Sequence, residues 1–232
     1  MKKPSLPKHI GIIVDGNRRW AKKHHLDCLE GHKYVTDHIL EDIVFHCLDL
    51  EIPYLTFWAF STENWKRGAD FYKPLFQLLR SVLKKDVKKY LRAGVSLNVI
   101  GDLTKIPLSL RKLIKKRLSQ KPDKQKIVVT IALNYGGRDE IIRAVNQIIS
   151  RSLTSKNKLT KADFEAYLDT SDLPDPDLII RTGGAQRTSG FMPWQAVYAE
   201  WYFTDTLMPD FNLDKFDQAL EDFKNRQRRF GK

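Results

Sequence analysis

Short apolar runs alternate with amphipathic stretches along this chain, and the alternation predicts an architecture. Runs with strand character occupy 9–14, 54–60, 95–100, 126–133 and 177–180, with a further one at 198–203. Between and after them, apolar residues recur at helical spacing over 33–50, 71–93, 107–119, 138–150, 160–169 and 213–228. Strands separated by helices imply an α/β fold with a mostly parallel central sheet flanked by helices. No repeat, low-complexity tract or long linker interrupts the pattern, so residues 1–232 are expected to form a single domain. The polar stretches near 119–126 and 151–160 read as surface connections.

Composition narrows the classes of function. A hydrophobic fraction of 42% over 232 residues suffices for a sizeable core. No apolar run reaches the length of a membrane span, and Met1 to Pro7 lacks the apolar region of a signal peptide, so a cytoplasmic protein is expected. Cys28 and Cys47 stand in no metal-ligand spacing, and the six histidines make no HExxH pattern. The net charge of +12 implies an anionic partner: nucleic acid, a phosphorylated small molecule or an acidic membrane surface. Much of the excess lies at Lys84-Lys85, Lys88-Lys89, Arg111-Lys112, Lys115-Lys116-Arg117 and Lys121 to Lys126. There it recurs at helical spacing between apolar residues, as on the solvated face of amphipathic helices.

Candidate chemistry sits where apolar runs stop. The run from His9 to Val14 ends in Asp15, Gly16, Asn17, Arg18 and Arg19. Open α/β sheets bind ligands outside the carboxyl ends of their strands, which makes Asp15 a candidate metal ligand and Gly16 to Arg19 a candidate anion cradle. A plain solvated Asp-Gly turn is the other reading. The run from Leu55 to Phe60 is followed by Ser61, Thr62, Glu63, Asn64, Trp65, Lys66 and Arg67, either a second polar cluster at the same edge or a helix N-cap and turn. The run from Asp177 to Ile180 delivers Arg181, a glycine pair, then Arg187, Thr188 and Ser189. Guanidinium forks and hydroxyls in a glycine-lined loop suit a diphosphate, although a structural loop reads the same way. Glu200 stands within the aromatic stretch from Trp194 to Phe203, where a carboxylate needs either a divalent ion or an arginine. GxGxxG after the first strand, GxxxxGK[ST] and GxSxG are absent, which argues against dinucleotide oxidoreductases, P-loop NTPases and α/β-hydrolases.

The blocks Asp15-Gly-Asn-Arg-Arg-Trp-Ala-Lys22, Gly31-His-Lys33, Ala59-Phe-Ser-Thr-Glu-Asn-Trp-Lys-Arg67, Asn134-Tyr-Gly-Gly137, Asp177-Leu-Ile-Ile-Arg-Thr-Gly-Gly184, Trp194-Gln195, Tyr198-Ala-Glu200, Tyr202-Phe-Thr-Asp205 and Arg228-Arg-Phe-Gly231 occur in this order. Together they resemble the cis-prenyltransferases from His9 to Gly231. The resemblance implies a homodimer that condenses isopentenyl diphosphate onto an allylic diphosphate, farnesyl or geranyl diphosphate, with Mg2+ as cofactor. It implies that Asp15 is the essential acid and shares Mg2+ with Glu200. Gly16, Asn17, Arg18 and Arg19 would receive the allylic diphosphate at the start of the helix that carries Trp20, with His32 nearby. Ser61 and Asn64 would handle the proton, the amide acting through a diphosphate oxygen or water. Thr62 and Glu63 belong to the same block, which Trp65 and Arg67 complete as a wall of the site. Arg181, Arg187, Thr188 and Ser189 would hold isopentenyl diphosphate, and Arg229-Phe230-Gly231 would reach the site of the partner subunit.

A growing hydrocarbon needs a tunnel, and the apolar faces of 33–50 and 71–93, with Phe76, Leu79, Leu83 and Val87, are its expected walls. The small Ala59 implies a medium or long product, undecaprenyl diphosphate by default. A short-chain or irregular Z-prenyl diphosphate synthase of the same fold, or a basic non-catalytic binding protein, are the alternatives. No nucleic-acid partner is expected, and release of a lipid product implies peripheral membrane contact. The chain departs from the family pattern at Cys28, where an arginine is usual, at Arg18 in place of glycine, at Ala185 and Gln186 in place of glutamate and histidine, and at Phe71 in place of an acid. Arg18 can supply the guanidinium that Cys28 lacks, and Asp15 argues against a subunit without catalytic function.

Overall fold

The computed structural model describes residues 6–84, 87–150 and 158–226. In chain order they form β1 (His9–Ile13), α1 (Asn17–Lys23), α2 (Glu30–Tyr34), a π-helical turn (Val35–Ile39), α3 (Leu40–Asp49), β2 (Tyr54–Ser61), α4 (Ala69–Lys84), α5 (Val87–Ala93), β3 (Val95–Ile100), α6 (Leu108–Leu118), β4 (Ile127–Tyr135), α7 (Gly137–Ser150), α8 (Lys161–Glu165), β5 (Leu178–Arg181), β6 (Glu200–Phe203) and α9 (Leu213–Asn225). Among these residues six strands make one sheet in the order β3-β4-β2-β1-β5-β6, parallel throughout. All carboxyl ends therefore meet at one edge.

Side-chain alternation sorts each strand between two layers. Ile10, Ile12, Leu55, Phe57, Leu178 and Ile180 pack with Ile43, Val44 and Cys47 of α3 and with Phe216, Ala219, Leu220 and Phe223 of α9. Ile13, Ile179 and Ala132 point the other way and pack with Phe191 and Met192. Gly11 is required there, since a Cβ would lie 2.9 Å from the Phe191 ring. A third cluster joins α4 and α6 through Phe76, Leu83, Leu110 and Ile114.

The apolar runs coincide with the strands to within a residue or two, including the one expected at 198–203. The helices differ more. The 33–50 helix starts earlier, at Glu30, and contains the π turn; the 71–93 stretch appears as α4 and α5; the 160–169 helix is only Lys161–Glu165, started by the reciprocal Thr160–Asp163 capping box. The family blocks Asn134 to Gly137 and Trp194-Gln195 are scaffolding. Tyr135 Oη donates to Glu140 Oε2 at 2.7 Å, and Gln195 Nε2 donates to the same oxygen at 3.1 Å and to Thr170 Oγ1 at 2.7 Å.

His9 is fully buried at the start of β1. Its Nδ1–H donates to Pro174 O at 2.7 Å, leaving Nε2 to accept from the Thr56 hydroxyl at 2.8 Å. Burial lowers its pKa from 6.5 to about 4. The unfolded chain takes up this proton first, so the stability due to neutral His9 is complete above pH 6.5 and is lost as pH falls towards 4. Between pH 7 and pH 5 the loss from His9 is about 2 kcal/mol. Urea unfolding of His9→Gln at the two pH values should show a pH-dependent loss smaller than the parent's by about that amount; equal losses would refute the assignment.

Candidate active site

Asp15 follows β1 at the carboxyl edge, and its backbone is clamped by the Thr182 hydroxyl, which accepts from Asp15 N at 3.0 Å and donates to Asp15 O at 2.7 Å. Its carboxylate accepts from Arg19 Nη2 at 3.1 Å and from Arg181 Nη2 at 3.0 Å. Arg181 ends β5 and is buried; its Nη1 donates to Ser189 Oγ at 2.7 Å and to Arg187 O. Gly183 passes beneath this group at φ 81°, where a Cβ would lie 2.5 Å from Arg19 Nη2. Gly31 is equally constrained, because a Cβ there would lie 2.1 Å from Asn17 O. That close approach sets α2, and with it His32, against α1.

These groups line a cleft of about 1210 Å³. Asp15, Gly16, Asn17, Arg18, Arg19, His32, Ser61, Glu63, Asn64, Arg67, Arg181, Arg187 and Ser189 all border it, as the sequence predicts. Among the described residues lining it, six cationic side chains (Arg18, Arg19, Lys22, Arg67, Arg181 and Arg187) face two carboxylates, Asp15 and Glu63. The excess positive charge in one concavity suits a polyanion. The first intrahelical bond of α1 is Trp20 N to Gly16 O, so the N–H groups of Asn17, Arg18 and Arg19 precede the helical ladder. With seven residues, α1 offers individual N–H groups rather than a substantial macrodipole.

Five expected site residues lie elsewhere. Trp20 is buried against Tyr34 and His24, and its indole N–H donates to Asp210 Oδ1 at 2.8 Å. Trp65 packs among Phe60, Tyr72 and Phe76, with its indole N–H on Asn134 Oδ1 at 2.7 Å. The Thr62 hydroxyl donates to Glu63 Oε1 at 3.0 Å, and Thr188 turns back on its own loop, accepting weakly from Gly190 N. Glu200 opens β6 opposite Leu178, which pairs with Ile10 of β1, at the other end of the sheet. Asp15 lies five positions beyond Ile10, about 16 Å at the strand rise. Glu200 accepts instead from Arg226 Nη1 at 3.0 Å. The expectation that it shares a metal with Asp15 fails within one chain, and the arginine-paired alternative holds. The closing Arg229-Phe230-Gly231 lies outside the described residues.

The electrostatics sharpen three roles. Burial, reinforced by the charges of Arg67 and Arg18, lowers the His32 pKa from 6.5 to about 4, so at neutral pH it presents an uncharged ring to the cleft. Asn64 Oδ1 accepts from Ser61 N at 3.1 Å, which turns its NH2 group into the available function, a donor and not a base. Arg18 Nε donates to Cys28 Sγ at 2.8 Å, placing its guanidinium over the position where the family pattern has an arginine. Lys22 borders the cleft although the sequence did not single it out, and Phe71, in place of the family's acid, borders it too. The Phe71 ring lies 4.8 Å from the Arg67 guanidinium and 5.9 Å from that of Arg18.

The cleft continues into an apolar tunnel of about 220 Å³, and Val14, Asn17, His32, Ala59, Phe60 and Leu75 border both. Its walls include Phe76, Leu79, Leu83 and Val87, as expected from the helical faces. A cationic cleft joined to a hydrocarbon-lined tunnel is the arrangement a lipid diphosphate requires. Residues 13–231 match the family described as putative undecaprenyl diphosphate synthase. The chain belongs to this cis-prenyltransferase family. It is 41% identical over 227 residues to the isoprenyl transferase of Aquifex aeolicus, covering 98% of this chain and 96% of that one. It is 42% identical to the isoprenyl transferase of Clostridium tetani, covering 98% and 90%. Among solved structures, lavandulyl diphosphate synthase from Lavandula x intermedia in complex with dimethylallyl diphosphate superposes with a TM-score of 0.92 at 31% identity, over 98% of this chain and 99% of that one. A probable undecaprenyl diphosphate synthase from Campylobacter jejuni gives 0.79 at 34% identity, over 98% and 99%.

In this prenyltransferase the Arg18–Cys28 contact makes a second-site prediction. Arg18→Gly should weaken binding of inorganic diphosphate about tenfold or more, the size of one charge-assisted hydrogen bond. Adding Cys28→Arg to that variant should restore affinity in a calorimetric titration; failure to restore it would show that the two positions do not serve the same anion.

Proposed function

We propose that this prenyltransferase condenses isopentenyl diphosphate with an allylic diphosphate, farnesyl or geranyl diphosphate, and by repeated addition builds a Z-polyprenyl diphosphate, undecaprenyl diphosphate by default. The observation that carries this reading is the continuity between the cationic cleft and the apolar tunnel across six shared residues. An allylic diphosphate fits with its head among Arg18, Arg19 and the first N–H groups of α1 and its tail past Ala59. Isopentenyl diphosphate fits against Arg181, Arg187 and Ser189. In each round the allylic carbon–oxygen bond breaks, the isopentenyl double bond attacks the allylic carbon, and a proton leaves the new chain.

The residues share this work by their chemistry. Guanidinium forks hold the departing diphosphate where its charge develops. Arg19 and Arg181 hold Asp15 when no anion is bound, and a diphosphate competing for these arginines releases the carboxylate. Asp15 alone, beside substrate oxygens, fits Mg2+, which typically takes one or two carboxylates plus phosphates and keeps several waters. No group of three or more metal-ligating side chains occurs among the described residues, consistent with a metal held largely by substrate. When bound, Mg2+ supplies charge neutralisation for the leaving group. Asn64, as a donor, orients a diphosphate oxygen to take up the proton, and neutral His32 adds a hydrogen bond without further charge.

The homodimer is part of the proposal. Helix α7 exposes Ile142, Val145 and Ile149 along one face, and Val197 and Tyr198 are more than two-thirds exposed. Apolar surface of this kind favours a second copy. No helix among the described residues is long and apolar enough to cross a membrane, and the reading places the enzyme in the cytoplasm with peripheral membrane contact at product release. A second reading, a short-chain or irregular synthase, draws support from the likeness to lavandulyl diphosphate synthase.

Incubation with isopentenyl diphosphate, Mg2+ and dimethylallyl, geranyl or farnesyl diphosphate, followed by product sizing, separates the two readings. A long Z-polyprenyl product is expected; a ten- or fifteen-carbon product would establish the second reading, and no transfer would refute both. Asp15→Ala should lower kcat by at least about 10²-fold, the scale of a lost transition-state contact, with the fold retained in circular dichroism but a lower melting temperature, since buried Arg181 loses its carboxylate. Ile142→Glu should convert a dimer to a monomer in light scattering.

A further inference from the structure

The far end of the tunnel carries polar side chains among its apolar ones. Helix α4 marks its course, from Phe71 beside the cationic cleft to Leu83, whose carbonyl accepts from Arg117 Nε at 2.6 Å. From Leu75 to Leu83, α4 runs about 12 Å along one wall of the tunnel at the helical rise. Val35, Leu40, Val44, Phe57, Leu79 and Ile131 border it. At its deep end, where α5 leads into the start of β3, Glu41, Tyr90, Arg117 and Gln120 join Val87, Leu91 and Val95 in the lining. Tyr90 Oη donates to Glu41 Oε2 at 2.5 Å across the gap between α5 and α3, and Lys89 pairs with the other carboxylate oxygen. Phe45 supports the pair from below, with its ring 5.7 Å from that of Tyr90 and 4.8 Å from Lys89 Nζ. Opposite them, Arg117 Nη1 donates to Gln120 Oε1 at 3.0 Å.

We infer that the Glu41–Tyr90 pair is a polar stop that sets the length of the hydrocarbon made in this tunnel. The inference rests on the chain-elongating reading of the site. Each added unit gains by burial while its methyl and methylene groups meet Leu, Val and Phe side chains. Growth beyond the apolar lining would press the tail on a carboxylate and a phenol, stripping their water and breaking their hydrogen bond. Burial then opposes the next addition, and the diphosphate is released at that length. A polar stop acts by chemistry rather than bulk: replacing the pair with apolar groups of similar size extends the favourable path without widening it.

Product length tests this directly. Wild-type enzyme, Tyr90→Phe, Glu41→Leu and Glu41→Gln are each incubated with farnesyl diphosphate, excess isopentenyl diphosphate and Mg2+, and the dephosphorylated products are sized. Tyr90→Phe keeps the ring stacked on Phe45 and removes only the hydroxyl, so it guards against a folding failure in Glu41→Leu. The main product should lengthen by at least one five-carbon unit in Glu41→Leu and the longer fraction should rise several-fold in Tyr90→Phe, with a smaller change in Glu41→Gln. Unchanged or shorter products, with or without a lower melting temperature, would reduce the pair to a strut between α3 and α5 and overturn the inference. Absence of elongation by the wild-type enzyme would instead remove the reading on which it rests.

Discussion

A buried guanidinium organises the carboxyl edge of this sheet. Arg181 is about 5% exposed, and at that depth a cation persists only if it is paired. Asp15 after β1 meets one of its terminal nitrogens, and Ser189 with the Arg187 carbonyl meets the other. The arginine thus joins β1, β5 and the glycine loop into one unit. Leaving such a charge unpaired typically costs about 3–5 kcal/mol, which explains why the loop is held so closely against the strand ends. The same arrangement holds Asp15 between Arg19 and Arg181, two groups that an anion in the cleft would attract.

Two solvents meet around this unit. On one side lies a cleft with a strong excess of positive charge; on the other, a tunnel walled by aliphatic and aromatic side chains. Neither alone specifies a lipid diphosphate, because cationic clefts serve many anions and apolar tunnels many lipids. Their junction at Asn17, His32 and Ala59 requires a ligand that is anionic at one end and hydrocarbon at the other. Neutral His32 suits this boundary, since burial and neighbouring guanidiniums suppress a charge that the tunnel side would not tolerate.

Much of this was legible in the sequence. Apolar runs marked the strands, most plainly β1 and β5, because strands buried on both faces admit little else, and polar clusters after β1, β2 and β5 marked one edge, because parallel strands end together. Three of the five misplaced residues, Trp20, Trp65 and Thr62, share a cause. Arg19 and Trp20 are adjacent in sequence, yet one faces the cleft and the other the core, since neighbours on a helix are rotated by about 100°. Trp65 and Thr62 alternate in the same way with Asn64 and Glu63 in the turn after β2. A block of signature residues contains both site and scaffold, and linear order does not separate them.

The layer architecture, the parallel sheet, the family and the three segments that build the cleft can be read along the chain, because each is written in local periodicity or in contiguous motifs. Folding was needed to reveal that Glu200 pairs with Arg226 at the opposite end of the sheet, that Arg18 lies over Cys28, and that Glu41 meets Tyr90 at the tunnel end. Each of these facts depends on strand register or on helices distant in sequence, and no local pattern carries that information.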